Sequence, residues 1–555
     1  KELLEKNFRR EGPIFTGDEE LLWSYKEYDN FELERLSLSK LVNSNWLNKG
    51  NVSKEIILDS FSRIQQSYLE YTLYYKKQVN DLAIFPNRLR NKIFANYHYT
   101  LIAMKGSHAL RPLNRKFYFN AIESEFEPIY YDGNFKLNHD LSINQANDSK
   151  ILIKELKFSS DYQYPYMSLL KNEKFKKNLE KEFKSRVLQY SQFEKNFFMR
   201  SIESILKNMA YIQEQIPKIK NKDNEESNSE NYRDEFIKTI RERSLNLKII
   251  DNISFLDEDI ILALNNKEFL NVNNFELSRI LSRKKLKNKL LDYQLIYLPE
   301  NEKFFLDYKL QKVGKQDLYY DASKDLKVNI DEVNKIMTFE QNNPSDWILF
   351  VDSIVDDWLI LFKGASLDSI NKEFNNQRFN KFGLTGCLNF YNANFNKTKI
   401  YVEGGSCEDS LNIVNSKGDL NELNITDAFQ DAIDLDFSEL KITNAYVKKA
   451  NNDCIDLSGG NYSIKNGAVI YCKDKAISLG EKSLLNLEIM NIKNSLIGIA
   501  VKDLSHLKVN ELTQSEVDIC IAAFQKKQEF GGGLAVVRNF ECKGINNIDT
   551  QSKII

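Results

Sequence analysis

Histidine is scarce in this 555-residue chain: there are four, His98, His108, His139 and His506, and they do not cluster. Cysteine is confined to the last third, at Cys387, Cys407, Cys454, Cys472, Cys520 and Cys542, and no pair has a CxxC spacing. A structural zinc site needs thiolate and imidazole ligands gathered at close spacing, so the pattern argues against one. The six thiols read as small buried hydrophobes rather than as a disulfide framework. No apolar run is long enough to span a bilayer, which argues against a membrane span. An excess of one charge is also missing, since 77 Lys and Arg face 79 Asp and Glu for a net charge of −2. That balance supplies no electrostatic reason to expect a nucleic acid or an anionic membrane as partner. Position 1 is Lys1 rather than Met, so the chain is expected to be a fragment or a processed product. The compartment stays open between cell envelope, secretion and cytoplasm.

What is present describes an ordinary globular protein, 42% hydrophobic and 28% charged. The length exceeds what one core can organise, so roughly two to four domains are expected. From Lys1 to about residue 110 the apolar spacing is mostly helical, with "KELLEKNFRREGPIF" closed by Gly12 and Pro13 and a second helix over 54–79. Residues 173–216 predict one long helix or a kinked pair, and 218–235 a charged, solvated and mobile loop. Helical character resumes to about residue 298; beyond it "KFFLDYKL", "DLKVNI" and "WILFVDSI" predict short strands.

The last third repeats. In "DSLNI", "DAIDL", "DCIDL", "KAISL", "IGIAV" and "ICIAA" the central residues Leu411, Ile433, Ile455, Ile477, Ile499 and Ile521 each fall 22 residues after the last. Two residues on, Ile413, Leu435, Leu457, Leu479, Val501 and Ala523 repeat the match, and "CLNF" at 387–390 is a further copy one residue out of step. Short β-branched runs broken by Asn, Gly and Asp exclude helical repeats, and the alternation in "DAIDLDF" sends Ile433, Leu435 and Phe437 to one face. Stacked coils would place equivalent side chains about 4.8 Å apart, in ladders. The fold class expected is therefore multidomain: an α+β, mostly helical part over 1–298, a β-rich connector or cap over 299–383, and a right-handed parallel β-helix with 22-residue rungs over 384–555.

Asp409, Asp431 and Asp453 form a phase-matched ladder on that β-helix, and Asp434 and Asp456 another. Polysaccharide cleavage at such a face needs a carboxylate pair with separated acid and base roles. The first ladder continues into Lys475 and Ile497, and His506 stands apart, so plain scaffold is the simpler reading; glycan or cation binding and glycan cleavage remain alternatives. A groove lined by Asp431, Asp434, Asp453 and Asp456 is what a polysaccharide-binding reading predicts.

The other candidate is "NRKFYFNAIESEFEPIYYDGN", residues 114–134. "KFYFN" and "FEPIYYD" predict a hairpin, with Asp132 just past its second strand and Asn114 just before its first, at the same end. A carboxylate and an amide oxygen converging there suit Mg²⁺, a hard cation that takes oxygen ligands and keeps several waters. A strand-ending aspartate before glycine is ordinarily a turn residue.

The spacing resembles the spore-coat CotH family of atypical protein kinases, in which an Asp is followed by His-Asn, a strand, and "PWDYD" or similar. "LNRKFYF" matches the Asn-containing strand and "FEPIYYDGN" the metal-binding end. The resemblance implies transfer of the ATP γ-phosphate to a Ser or Thr hydroxyl of a protein substrate, with Mg²⁺ and ATP as cofactors. By it, Asp132 corresponds to the Mg²⁺-binding aspartate, Asn134 to a second acidic position and Asn114 to the motif asparagine. Ser107 or His108 stands where the family places its catalytic aspartate, and Arg111 and Arg115 are placed to reach phosphates. The nucleotide-binding strands and their lysine are expected upstream of Lys1. An inactive pseudokinase acting as a surface or assembly protein is the alternative within the same resemblance, and the β-helix is an arm for surface, polysaccharide or partner binding.

Overall fold

The computed structural model describes residues 2–18, 38–76, 92–110, 112–141, 165–186, 191–215, 234, 237–238, 247–256, 259–265, 267–284, 286, 294–299, 309–365 and 378–555. Two compact units divide the chain: Lys1–Gly12, Lys49–Lys54 and Phe305–Ile555 form one, Pro13–Asn48 and Glu55–Phe304 the other.

The second of these holds two four-stranded sheets. In the first, β1 (Ile14–Asp18), β2 (Leu38–Leu41), β3 (Lys116–Asn120) and β4 (Glu125–Ile129) pair antiparallel in the order β2-β1-β3-β4. The predicted hairpin is thus present as β3 and β4, with Lys116 opposite Ile129 at its open end. Its apolar face is aromatic: Phe126 meets Phe15, Phe117 and Phe119 at centroid distances of 6.1, 6.3 and 5.0 Å, and all four rings are buried. Such ring pairs contribute about 0.5–1.5 kcal/mol each beyond their buried area, which fixes the hairpin's register.

The second sheet runs β7-β6-β5-β8, from β5 (Leu247–Leu256), β6 (Asp259–Leu264), β7 (Phe269–Val272) and β8 (Gln294–Tyr297), with β5 and β8 parallel. Helix Asn274–Leu281 connects β7 onward and opens on a capping box in which Asn273 and Glu276 satisfy each other's backbone N–H. Asp18, fully buried at the end of β1, accepts from Arg283 Nε at 2.8 Å, and Arg283 also donates to Leu295 O at 3.1 Å in β8. One ion pair therefore ties the two sheets.

The mostly helical expectation is corrected here: this part holds few helices. The helix over 54–79 is present as Asn51–Lys76, and 173–216 is a pair, Glu173–Arg186 and Gln192–Gln215. The opening helix, however, is only Glu2–Lys6, and β5 to β8 occupy a stretch expected to be helical to residue 298. Runs such as "LKIIDNISFL" are short, apolar and β-branched, and periodicity alone does not separate them from buried helix. Burial that alternates along β6 shows which period prevailed. The loop over 218–235 lies outside the described residues except Asp234, and most of "KFFLDYKL" does too.

The other unit is a parallel β-solenoid of about nine turns with a spacing near 23 residues. Leu411, Ile433 and Ile455 pair in register, as do Ile477, Ile499 and Ile521, and all six are buried. Leu388 pairs with Leu411, so "CLNF" is a rung, and Ile348 pairs with Leu388 one turn earlier, across a 40-residue coil. Stacking is visible in Phe350 and Phe390, whose rings lie parallel with centroids 4.9 Å apart. The strands at Lys327–Asp331 and Ile348–Val351 coincide with those expected from "DLKVNI" and "WILFVDSI".

The reading of the cysteines as free hydrophobes is overturned. Cys387–Cys407, Cys454–Cys472 and Cys520–Cys542 are disulfides, and no cysteine among the described residues is free. Their separations of 20, 18 and 22 residues are close to one solenoid turn, so the coil brings each pair side by side.

Candidate functional site

Asp132 stands at the open end of the β3–β4 hairpin because the chain turns sharply there. Asp132 and Asn134 both adopt left-handed backbone conformations, φ 46° and 49°, which Asp and Asn tolerate better than other side chains. Gly133 N donates to Tyr130 Oη at 3.1 Å, and the Tyr130 ring stacks on Phe135 at 4.9 Å. Phe135 in turn lies so close to Gly106 that a Cβ there would come within 2.5 Å of its ring. Gly106 is thus needed for the loop that carries Asp132 to lie against the segment that carries His108.

That segment is a short 3₁₀ turn, Ser107–Leu110. His108 Nδ1 lies 2.9 Å from Asp132 O and 3.3 Å from Asp132 Oδ2. Asn114 Nδ2 lies 3.0 Å from the same Nδ1 and 2.9 Å from His108 O. Nδ1 faces two acceptors on Asp132 and one donor on Asn114. The tautomer with Nδ1–H donates to Asp132 and leaves the Asn114 amide to donate to His108 O, its approach to Nδ1 then not being a hydrogen bond. The Nε2 lone pair is then left for chemistry, and the Asn114 side-chain oxygen keeps its acceptor capacity. His108, Asn114 and Asp132 are therefore brought together, with the imidazole and carboxylate 35% and 51% exposed.

The remaining sequence candidates are placed differently. Arg115, which the resemblance placed to reach phosphates, is 3% exposed and donates from Nε to Leu110 O at 2.7 Å, so it braces the 3₁₀ turn from inside. Arg111 lies outside the described residues. Ser107 is half-buried and follows Gly106 at the start of the 3₁₀ turn. Asn134 is exposed, two residues on from Asp132.

Does the donor set suit Mg²⁺ and ATP? Among the described residues no three His, Cys, Asp or Glu side chains gather as a metal site. Magnesium asks for less, commonly one or two carboxylates with waters and phosphates. Of the oxygens the sequence offered, the partly exposed Asp132 carboxylate answers part of that demand.

A second concentration of charge lies on the solenoid unit, and the sequence candidates Asp431, Asp434, Asp453 and Asp456 belong to it. Asp431 Oδ1 accepts from Asp453 N at 2.7 Å, and Asp453 Oδ1 from Lys475 N at 3.0 Å, so these two carboxylates cap rung corners. Asp434 Oδ2 accepts from Asn412 Nδ2 at 2.9 Å. Burial and neighbouring carboxylates push Asp431 up to about 9 and Asp409 to about 7, while Arg10 restrains Asp436 at about 6 against burial. Arg10 was not legible as a participant: it pairs with Asp436 and lies 3.4 Å from Asp434, more than 400 residues away along the chain. No periodicity links an N-terminal arginine to a distant repeat.

No family model matches this chain, and neither a curated protein nor a solved structure shows significant similarity to it.

Proposed function

We propose that the Pro13–Asn48 and Glu55–Phe304 unit is a CotH-like phosphoryl-transfer module acting on a hydroxyl of a protein partner, with the solenoid as its binding arm. The observation that carries this reading is the convergence of His108, Asn114 and Asp132, residues from either side of the hairpin that the resemblance had singled out. Mg²⁺ with ATP supplies an activated phosphoryl group and neutralises its charge when bound. Asp132, with the Asn114 and Asn134 side-chain oxygens, would hold the metal. Asp132 also orients His108 through Nδ1, so that Nε2 would carry the lone pair that takes the proton of the acceptor hydroxyl. This is base work in the sense of general acid–base catalysis, where such a group contributes about 10²–10⁴-fold. It shifts the base from the family's aspartate to a histidine held by one.

The right-handed sense we take for the solenoid follows the strong preference of parallel crossovers. Three disulfides favour an oxidising compartment, the cell envelope or beyond it.

The test is MgATP binding by the full chain, with Asp132→Asn and His108→Ala alongside. Wild-type binding, weakened about tenfold or more by Asp132→Asn and kept in His108→Ala while phosphoryl transfer falls by about 10²-fold or more, is the expected pattern. No binding by the wild type, or equal binding by the Asp132 variant, overturns it.

A further inference from the structure

The N-terminal arm and the outer face of the solenoid belong to one compact unit, and between them lies a cleft of about 120 Å³. Three contacts seat the arm. Glu5 pairs with Lys527, the Phe8 ring meets Phe437 edge-on at 5.8 Å, and Arg10 reaches the carboxylates. Arg10 is held from four sides: Nη1 by Asp436, by Asp434 at 3.4 Å and by Asn412 Oδ1 at 3.2 Å, and Nη2 by Thr385 Oγ1 at 2.9 Å. Carboxylates beside it raise its proton affinity further above the ordinary arginine value.

One arginine does not partner all the carboxyl groups that line this cleft, and those held protonated by burial would ionise against an incoming cation. Glu408 is matched by Arg378 at 2.5 Å, and Asp434 and Asp436 share Arg10. Asp409, Asp431 and Asp456 also line the cleft, and among the described residues no cation makes a direct ion pair with them, although the charges of Arg10 and Lys526 reach Asp409 and Asp456. Asp409 is decisive: it is 3% exposed, and its Oδ2 has no hydrogen-bond partner. A buried carboxylate oxygen left without a donor at the wall of a cleft is a place for a donor from outside. A metal ion is the less suitable occupant, because among the described residues no three ligand side chains converge as a metal site. A planar or tetrahedral nitrogen cation can instead bridge carboxylates set farther apart, as Arg10 already does.

We propose that this cleft is a recognition site for the guanidinium or ammonium group of a basic peptide side chain, and that Arg10 occupies half of it as an own-chain counterpart of that ligand. Phe379 and Phe437, which also line it, suit the aliphatic stem of such a side chain. The inference stands whether or not the other unit transfers phosphate.

The experiment titrates the full chain, at low salt, with acetyl-Arg-Gly-Arg-amide and with the same peptide carrying citrulline, which keeps the shape and removes the charge. The arginine peptide is expected to bind, the citrulline peptide at least tenfold more weakly, a difference of about 1.4 kcal/mol. Asp409→Asn with Asp456→Asn should weaken the arginine peptide by a similar factor, and Arg10→Gln should strengthen it by freeing carboxylates. Because the peptide comparison uses the unaltered protein, it decides the matter even where a variant does not fold. Equal binding of the two peptides, no binding at about 1 mM, or saturable Ca²⁺ binding with no response to peptide would each overturn the inference.

Discussion

Asp431 shows how one residue acquires a pH dependence from its neighbours. Burial and the charges of Asp409, Asp456 and Asp453 push its carboxyl up to about 9, and Asp409 is pushed to about 7. In the unfolded chain both titrate near the ordinary value of about 3.9. Between those limits the folded state binds more protons than the unfolded one, so stability is fully present below about pH 4 and is lost as pH rises through 7 and 9. The melting temperature of the solenoid is therefore expected to fall between pH 5 and pH 8, read by calorimetry. Asp431→Asn keeps an oxygen to accept from Asp453 N, so at pH 8 it should raise that melting temperature by roughly 2 °C or more and flatten the slope. An unchanged slope would remove the buried carboxylates as its cause. At the candidate phosphoryl-transfer site the sequence pointed to Asp132, Asn114 and His108 because hairpin geometry is local. The tautomer of His108 and the interior position of Arg115 depend on Leu110, Asn114 and the turn between them, and no spacing rule carries that information.

Elements in the second unit were legible where their period was clean. Hairpin β3–β4 was readable from aromatic runs around an acidic turn, and the helix Asn51–Lys76 from apolar residues recurring at three and four. β5 and β6 were not, because a short β-branched run satisfies strand and buried helix alike until something packs against it. What joins the sheets is the Asp18–Arg283 pair, both side chains at most 3% exposed, with Lys40 3.5 Å away on the other carboxylate oxygen. Removing one partner of a buried pair leaves an uncompensated charge. Arg283→Met is expected to destabilise this unit by about 3 kcal/mol, the low end of the usual range because Lys40 remains. Asp18→Asn in the same protein should recover much of that loss. Denaturant titration reads both, and a double variant no more stable than Arg283→Met would count against the pair as the tie.

At the scale of the whole molecule, the two units should melt separately, and only one of them is stapled. All three disulfides lie in the solenoid unit, where each closes a loop of about one turn. Loops of that size contribute about 3 kcal/mol apiece by restricting the unfolded chain. A reducing agent is therefore expected to lower the solenoid transition and leave the other where it was. A shift of both, or of neither, would contradict this assignment of the cross-links. The sequence by itself determined the solenoid, because a parallel coil returns to the same phase every turn and writes Leu411, Ile433, Ile455, Ile477, Ile499 and Ile521 at a fixed interval. It determined the hairpin too, whose strands are joined by a few residues. Only the tertiary structure decided that Cys454 meets Cys472, that Arg283 reaches Asp18, and that Arg10 lies among aspartates more than 400 residues away. Periodicity records which side chains share a face. It does not record what packs against that face, because two positions far apart in the chain become neighbours only when the intervening residues have folded.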